Sequence, residues 1–253
     1  MKRLGLIQSR GIGDIIIALP IAKYHHDRGW HVCWPIDRRF LPSFVSAVDY
    51  VEFIPFDFEP SIEGFLMKPM RLLKEKGCEK IVPLYSHLSG TSIANADYFR
   101  SLKFDEYKYA IAGVPFSEKW NLQLKRNPER EQALYDRVVR SERYAVRQVE
   151  GSNFRTMYND ADLARMEQVI DITSITDNIL DWLLVLERAQ LLVLVDSCFA
   201  NLVDQLNLTV RKKFLFRSDL RFTPVMRGAW EFCAPSIQAA QHGPGRPLAG
   251  ARS

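Results

Sequence analysis

The chain has 253 residues, with 34 Lys+Arg against 30 Asp+Glu, 47% hydrophobic and 25% charged, proportions that exclude a disordered, collagen-like or disulfide-scaffold protein. The net charge of +4 is spread along the chain and marks no nucleic-acid or membrane patch. The four cysteines, Cys33, Cys78, Cys198 and Cys233, are far apart with no C-x-x-C pair, so the spacing signals neither a zinc site nor a disulfide framework. A reducing cytoplasm fits this cysteine usage. The apolar run after Met1 is too short for a secretory leader, and no later run reaches membrane length, so no integral membrane segment is expected.

In chain order, Leu4–Ile7 reads as a strand, followed by a glycine loop through Gly11 and Gly13 and a helix with Ile15, Ala18, Leu19 and Ala22 at helical spacing. Pro20 inside that helix removes a backbone hydrogen bond, so a bent or divided helix is expected. Trp30–Pro35 and Tyr50–Pro55 read as strands, Phe65–Lys76 as a helix closed by Gly77, and Lys80–Leu84 as a further strand. Asn95–Leu102 reads as a helix and Lys108–Val114 as a strand. A helix from Pro128 to about Arg140 opens a second half, with Tyr144–Val149, Gln168–Ile172, Leu191–Val195 and Lys213–Phe216 as strands and Asn178–Ala189 and the segment after Ser197 as helices. Strands alternating with helices imply parallel βαβ units, hence an α/β fold of two Rossmann-like domains over 1–127 and 128–234. The Gly, Pro, Ala and Ser content after Cys233 predicts a disordered tail over 235–253.

Two segments can carry chemistry. In Arg10-Gly11-Ile12-Gly13-Asp14, two glycines between strand and helix allow positive φ and close approach of a ligand to the backbone. It is not a dinucleotide fingerprint, because Ile16 stands at the third glycine position and Asp14 would repel a pyrophosphate. Asp14 reads either as a helix N-cap or as a carboxylate at the end of a parallel strand, able to act as a general base. In the second segment a hydrophobic strand delivers Asp196 and Ser197 onto a helix start, a place for capping or for binding phosphate. Asp160-Ala161-Asp162 matches a metal-holding D-x-D but reads as helix capping. His25, His26 and His87 lack ligand spacing, so no metal is expected.

Taken together, these segments resemble the heptosyltransferase-like glycosyltransferases (glycosyltransferase family 9-like, GT-B fold). Gly11-Ile12-Gly13-Asp14 followed by a helix containing Pro20 is similar to the family's N-terminal signature, and the stretch from Val169 through Asn201 to Leu206 is similar to its C-terminal block. The resemblance implies two Rossmann-like domains facing a cleft and transfer of a sugar from a nucleotide-sugar, as substrate and without cofactor or metal, to a hydroxyl acceptor with inversion. By the same resemblance, Asp14 is the base and Arg10, Gly11 and Gly13 form the acceptor-side loop. Asp196, Ser197, Cys198 and Asn201 then bind the donor. Cys198 stands where the family has glycine and Asn201 where it has histidine. The segment between Val149 and Gln168 is also shorter than in the family, which trims the second domain and leaves Arg155 to take the place of a phosphate-pairing lysine. The acceptor is a glycan, a lipid-linked hydroxyl or, in a phage-type enzyme, a hydroxylated DNA base. A non-catalytic nucleotide-binding relative is the other reading.

Overall fold

The computed structural model describes residues 1–9, 11–93, 96–151, 155–216 and 223–234; the expected tail over 235–253 lies outside the described residues. Two parallel sheets organise them. In the first half, β1 (Arg3–Ile7) pairs with β2 (His31–Asp37) on one side and β4 (Lys80–Pro83) on the other, and β3 (Glu52–Phe56) joins β2, giving the order β3-β2-β1-β4. In the second half, β5 (Tyr144–Gln148), β6 (Gln168–Asp171), β7 (Leu191–Val195), β8 (Arg211–Leu215) and β9 (Trp230–Cys233) lie in the order β6-β5-β7-β8-β9. β7 is an unbroken apolar run, buried at every residue, as a central strand covered on both faces must be. β9, which sequence pattern does not reveal, is a four-residue parallel edge strand held in register by Lys212 opposite Trp230 and Leu215 opposite Cys233.

Helix α1 (Ile12–His26) is buried continuously from Ile15 to Ala22, so it is apolar all round rather than on one stripe. Burying such Ile and Leu side chains contributes roughly 1.5–3 kcal/mol each. Of the two expected outcomes, a bent or a divided helix, Pro20 does not produce division: the helix runs unbroken from Ile12 to His26. The carbonyl Pro20 leaves without a helical donor is that of Ile16, and Gln205 Nε2 donates to this oxygen at 3.3 Å from the facing helix α9 (Cys198–Gln205).

The segment expected as a strand over Lys108–Val114 is instead part of helix α5 (Phe104–Ala112). Glu106 accepts from the Lys103 backbone N–H at 2.8 Å at its start, and Gly113 takes φ +69° at its end. Both ends are therefore satisfied by helix-specific groups, which outweighs the β-like run Tyr109–Val114. The expected helix over Asn178–Ala189 is a 3-10 turn followed by a short helix, Leu183–Arg188.

The two halves pack through α1 against α9, and two buried carboxylates fasten them. Asp105 pairs with Lys119 at 2.7 Å, both fully buried, and accepts from the Val225 N–H at 2.8 Å. Asp204, 1% exposed, accepts from the indoles of Trp120 and Trp230, each at 2.8 Å, and from the Arg227 and Gly228 N–H groups, each at 3.0 Å. A charge buried this deeply is tolerated only when it is paired or its oxygens are filled by donors: both Asp204 oxygens are filled, whereas Asp105 relies on Lys119 and the Val225 N–H at Oδ2 and its Oδ1 has no partner among the described residues.

Candidate active site

In an open parallel sheet, ligands bind beyond the carboxyl ends of the strands where the order reverses. The first sheet reverses between β1 and β4 and the second between β5 and β7. The two reversal points face one cleft of about 850 Å³, lined from the first half by Gln8, Gly11, Gly13, Asp14, Tyr85 and Lys108 and from the second by Gln148, Glu150, Asp196, Ser197, Cys198 and Asn201. Two segments far apart in sequence are thus brought face to face. Arg10 lies outside the described residues.

Gly11 has φ +84°, and a Cβ there would meet Asp14 Oδ2 at 2.6 Å, so the loop needs glycine both for its backbone and for room beside the carboxylate. At Gly13 a Cβ would stand 3.5 Å from Cys198 Cα and from Asn201 Nδ2, which places the first turn of α1 directly against the first turn of α9. Asp14 is not the N-cap; Gly11 is, with no side-chain cap bond, and Asp14 is the third residue of the helix. Its carboxylate is 37% exposed toward the cleft and lies 3.2 Å from Lys108 Nζ. The Lys108 side chain is 2% exposed, and its ammonium also donates to Gln8 Oε1 at 2.8 Å and to the Leu84 carbonyl at 3.4 Å. A buried cation with three oxygen partners holds the Asp14 carboxylate in one place.

Across the cleft, Ser197 caps α9: its Oγ accepts from the Ala200 N–H and donates to Gln148 Oε1 at 2.5 Å. Asn201 Nδ2 donates to the Ser197 carbonyl at 3.0 Å, while its buried Oδ1 has no hydrogen-bond partner among the described residues. Cys198 places its thiol over the first amides of the helix, and burial pushes that thiol up to about 12 although the Phe199 and Cys198 amides point to it. A neutral thiol here leaves the helix N-terminus free of competing negative charge.

Arg155 is exposed and does not line the cleft; it forms an isolated backbone bridge with Glu150, which does. Asp160 caps a short helix through the Leu163 N–H at 2.9 Å, and both Asp160 and Asp162 engage Lys213. Asp160 thus caps a helix as expected, and the pair is in addition held by Lys213 and Arg211. Lys108, Gln8 and Gln148 are the site residues that sequence reasoning missed. Lys108 was read into a strand, whereas the Gly113 cap and the Glu106 position together signal the helix that carries it.

No protein-family model and no curated protein sequence matches the chain. Solved structures do. A glycosyl transferase family 9 protein from Veillonella parvula superposes with a TM-score of 0.65 at 13% identity, covering 92% of this chain and 87% of that one. The E. coli ADP-heptose LPS heptosyltransferase II gives 0.55 at 13% identity over 92% and 90% of the two chains. The E. coli heptosyltransferase WaaC, solved with ADP, gives 0.52 at 12% identity over 92% and 93%. Their agreement along nearly the whole chain, with two parallel sheets meeting at one cleft, shows that this protein has the GT-B-like fold of the heptosyltransferases.

Proposed function

We propose that the chain is a glycosyltransferase that moves a sugar from a nucleotide-sugar to a hydroxyl acceptor with inversion at the anomeric carbon. The observation that carries this is Asp14, fixed by Lys108 and facing the amino end of α9 across a single cleft. The acceptor hydroxyl sits beside Asp14, which takes its proton as the oxygen attacks the anomeric carbon. The bond from that carbon to the donor's diphosphate oxygen breaks on the opposite side, which inverts the configuration. The departing diphosphate gains negative charge, and in this reading the amino end of α9 receives it.

A proton acceptor on one wall and amide donors on the other supply both needs of the reaction, so it is proposed without a metal. The D-x-D at Asp160 is committed to Lys213 and Arg211. Because two of the structural neighbours are described with ADP or as ADP-heptose transferases, an ADP-sugar is the first donor to try.

The test is turnover across a panel of nucleotide-sugars with glycan, lipid-linked and hydroxylated-DNA acceptors, following nucleoside diphosphate release and the anomeric configuration of the product by NMR. Release coupled to an inverted product is expected. A retained configuration, or no turnover of any donor, overturns the proposal.

A further inference from the structure

At the end of the first sheet opposite the cleft, three strand starts converge. Strand alternation puts His31 and Cys33 on one face of β2, and the parallel register sets Cys33 opposite Glu52, the first residue of β3. His31 Nε2 lies 2.6 Å from Glu52 Oε2 and Cys33 Sγ lies 3.7 Å from the same oxygen. The three ligand atoms all fall within 4.8 Å of one another. Cys78, in the turn between the helix Lys68–Glu75 and β4, packs against the small core cluster that includes Cys33 and offers a further sulfur at this corner.

We propose that His31, Cys33, Glu52 and Cys78 form a binding site for one thiophilic divalent cation of the zinc class. Two sulfurs, an imidazole nitrogen and a carboxylate oxygen are the donor set such an ion takes in tetrahedral sites, whereas magnesium and calcium select oxygen alone. On binding, the two thiols release their protons to solvent and the imidazole binds in its neutral form, so affinity rises with pH.

Two cations already occupy the neighbourhood: Arg3 Nη2 and Lys76 Nζ each lie 2.6 Å from a Glu52 oxygen. Their side chains are 34% and 43% exposed, so both can swing into water when the ion arrives. Arg3 Nη2 is also 3.5 Å from Cys33 Sγ, the position of an outer donor that stabilises a bound thiolate. The ion would tie β2 and β3 to the turn before β4, at the amino ends of the strands. It is therefore a structural clasp, separate from the transfer chemistry at their carboxyl ends.

The test uses the full chain after chelator treatment, titrated with Zn²⁺ and, for its spectrum, with Co²⁺. One equivalent is expected to bind, with a thiolate-to-cobalt charge-transfer band and a rise in thermal midpoint with Zn²⁺. Zinc is also expected to protect Cys33 and Cys78 from a thiol reagent. Cys33→Ser is expected to weaken the band, leaving one thiolate, and Cys233→Ser to keep it in full. Because Cys33 is buried and its replacement can unfold the chain, His31→Asn, at a half-exposed position, is the second variant, with affinity expected to fall about 100-fold. Absence of saturable one-equivalent binding, binding without the thiolate band, or affinity unchanged in both Cys33→Ser and His31→Asn overturns the proposal.

Discussion

Gln205 offers a direct test of how α1 accommodates Pro20. The proline cannot donate to the Ile16 carbonyl, and Gln205 Nε2 does so instead at 3.3 Å while also donating to the Lys119 carbonyl at 2.9 Å. Gln205→Met keeps the volume and removes both donors. An orphaned buried carbonyl costs about 1–3 kcal/mol, so the substitution costs about 2–4 kcal/mol in the wild-type background. In a Pro20→Ala background the alanine N–H can reach the Ile16 oxygen, only the Lys119 carbonyl is orphaned, and the cost falls to about 1–2 kcal/mol. The buried Gln205 Oε1, which has no partner among the described residues, is lost in both backgrounds and cancels. The double-mutant cycle should therefore show a coupling of about 1–2 kcal/mol. Urea denaturation of the four proteins, followed by tryptophan fluorescence, reads this as a midpoint difference of about 0.3–0.7 M at an m-value near 3 kcal/mol/M. Costs that add within about 0.3 kcal/mol would refute the reasoning.

The two loop glycines should behave differently: Gly11→Ala forces a side chain into φ +84° and against Asp14, whereas Gly13→Ala makes only ordinary contacts at 3.5 Å. Thermal denaturation is expected to show a loss of about 1–2 kcal/mol for the first and no loss, with a gain of up to about 1 kcal/mol, for the second, because alanine is the better helix former. Lys108→Met leaves Asp14 without its buried cation partner, and steady-state kinetics should show kcat reduced by about 10²-fold with a smaller change in donor KM. Lys213 gives a pH signature. Burial alone would lower it, but the Asp160 and Asp162 carboxylates outweigh burial and hold it up to about 12, above its ordinary 10.5. A raised folded value means that its stabilisation is complete below pH 10.5 and is lost as the pH rises through 12. The gap in midpoint between wild type and Lys213→Met should narrow over that window, and a constant gap would count against the ion pair.

The α/β class and most of the parallel strands were legible because β1, β2 and β7 are short apolar runs between turn signals. The candidate site was half legible: the glycine loop, Asp14 and the Asp196–Asn201 segment show in sequence because strand, turn and helix start follow one another locally. Lys108 was not legible, because Lys108–Val114 carries a β-like run whose helical state is decided by its two caps. The role of Gln205 under Pro20, the Asp204 hub and the meeting of His31, Cys33 and Glu52 all depend on contacts between distant segments. Spacing along the chain carries no trace of such contacts. Arg155, offered by the resemblance in place of a phosphate-pairing lysine, is exposed and bridges through its backbone to Glu150, which lines the cleft.

The central claim, a base on one wall and a donor site on the other, is tested most directly by separating binding from turnover. Wild type and Asp14→Asn are compared by thermal shift against ADP-, UDP-, GDP-, CMP- and dTDP-sugars, since a ligand that binds only the folded state raises its apparent stability. The same donor should shift both proteins equally, with turnover in the wild type alone. No shift with any donor, or turnover retained by Asp14→Asn, would contradict it.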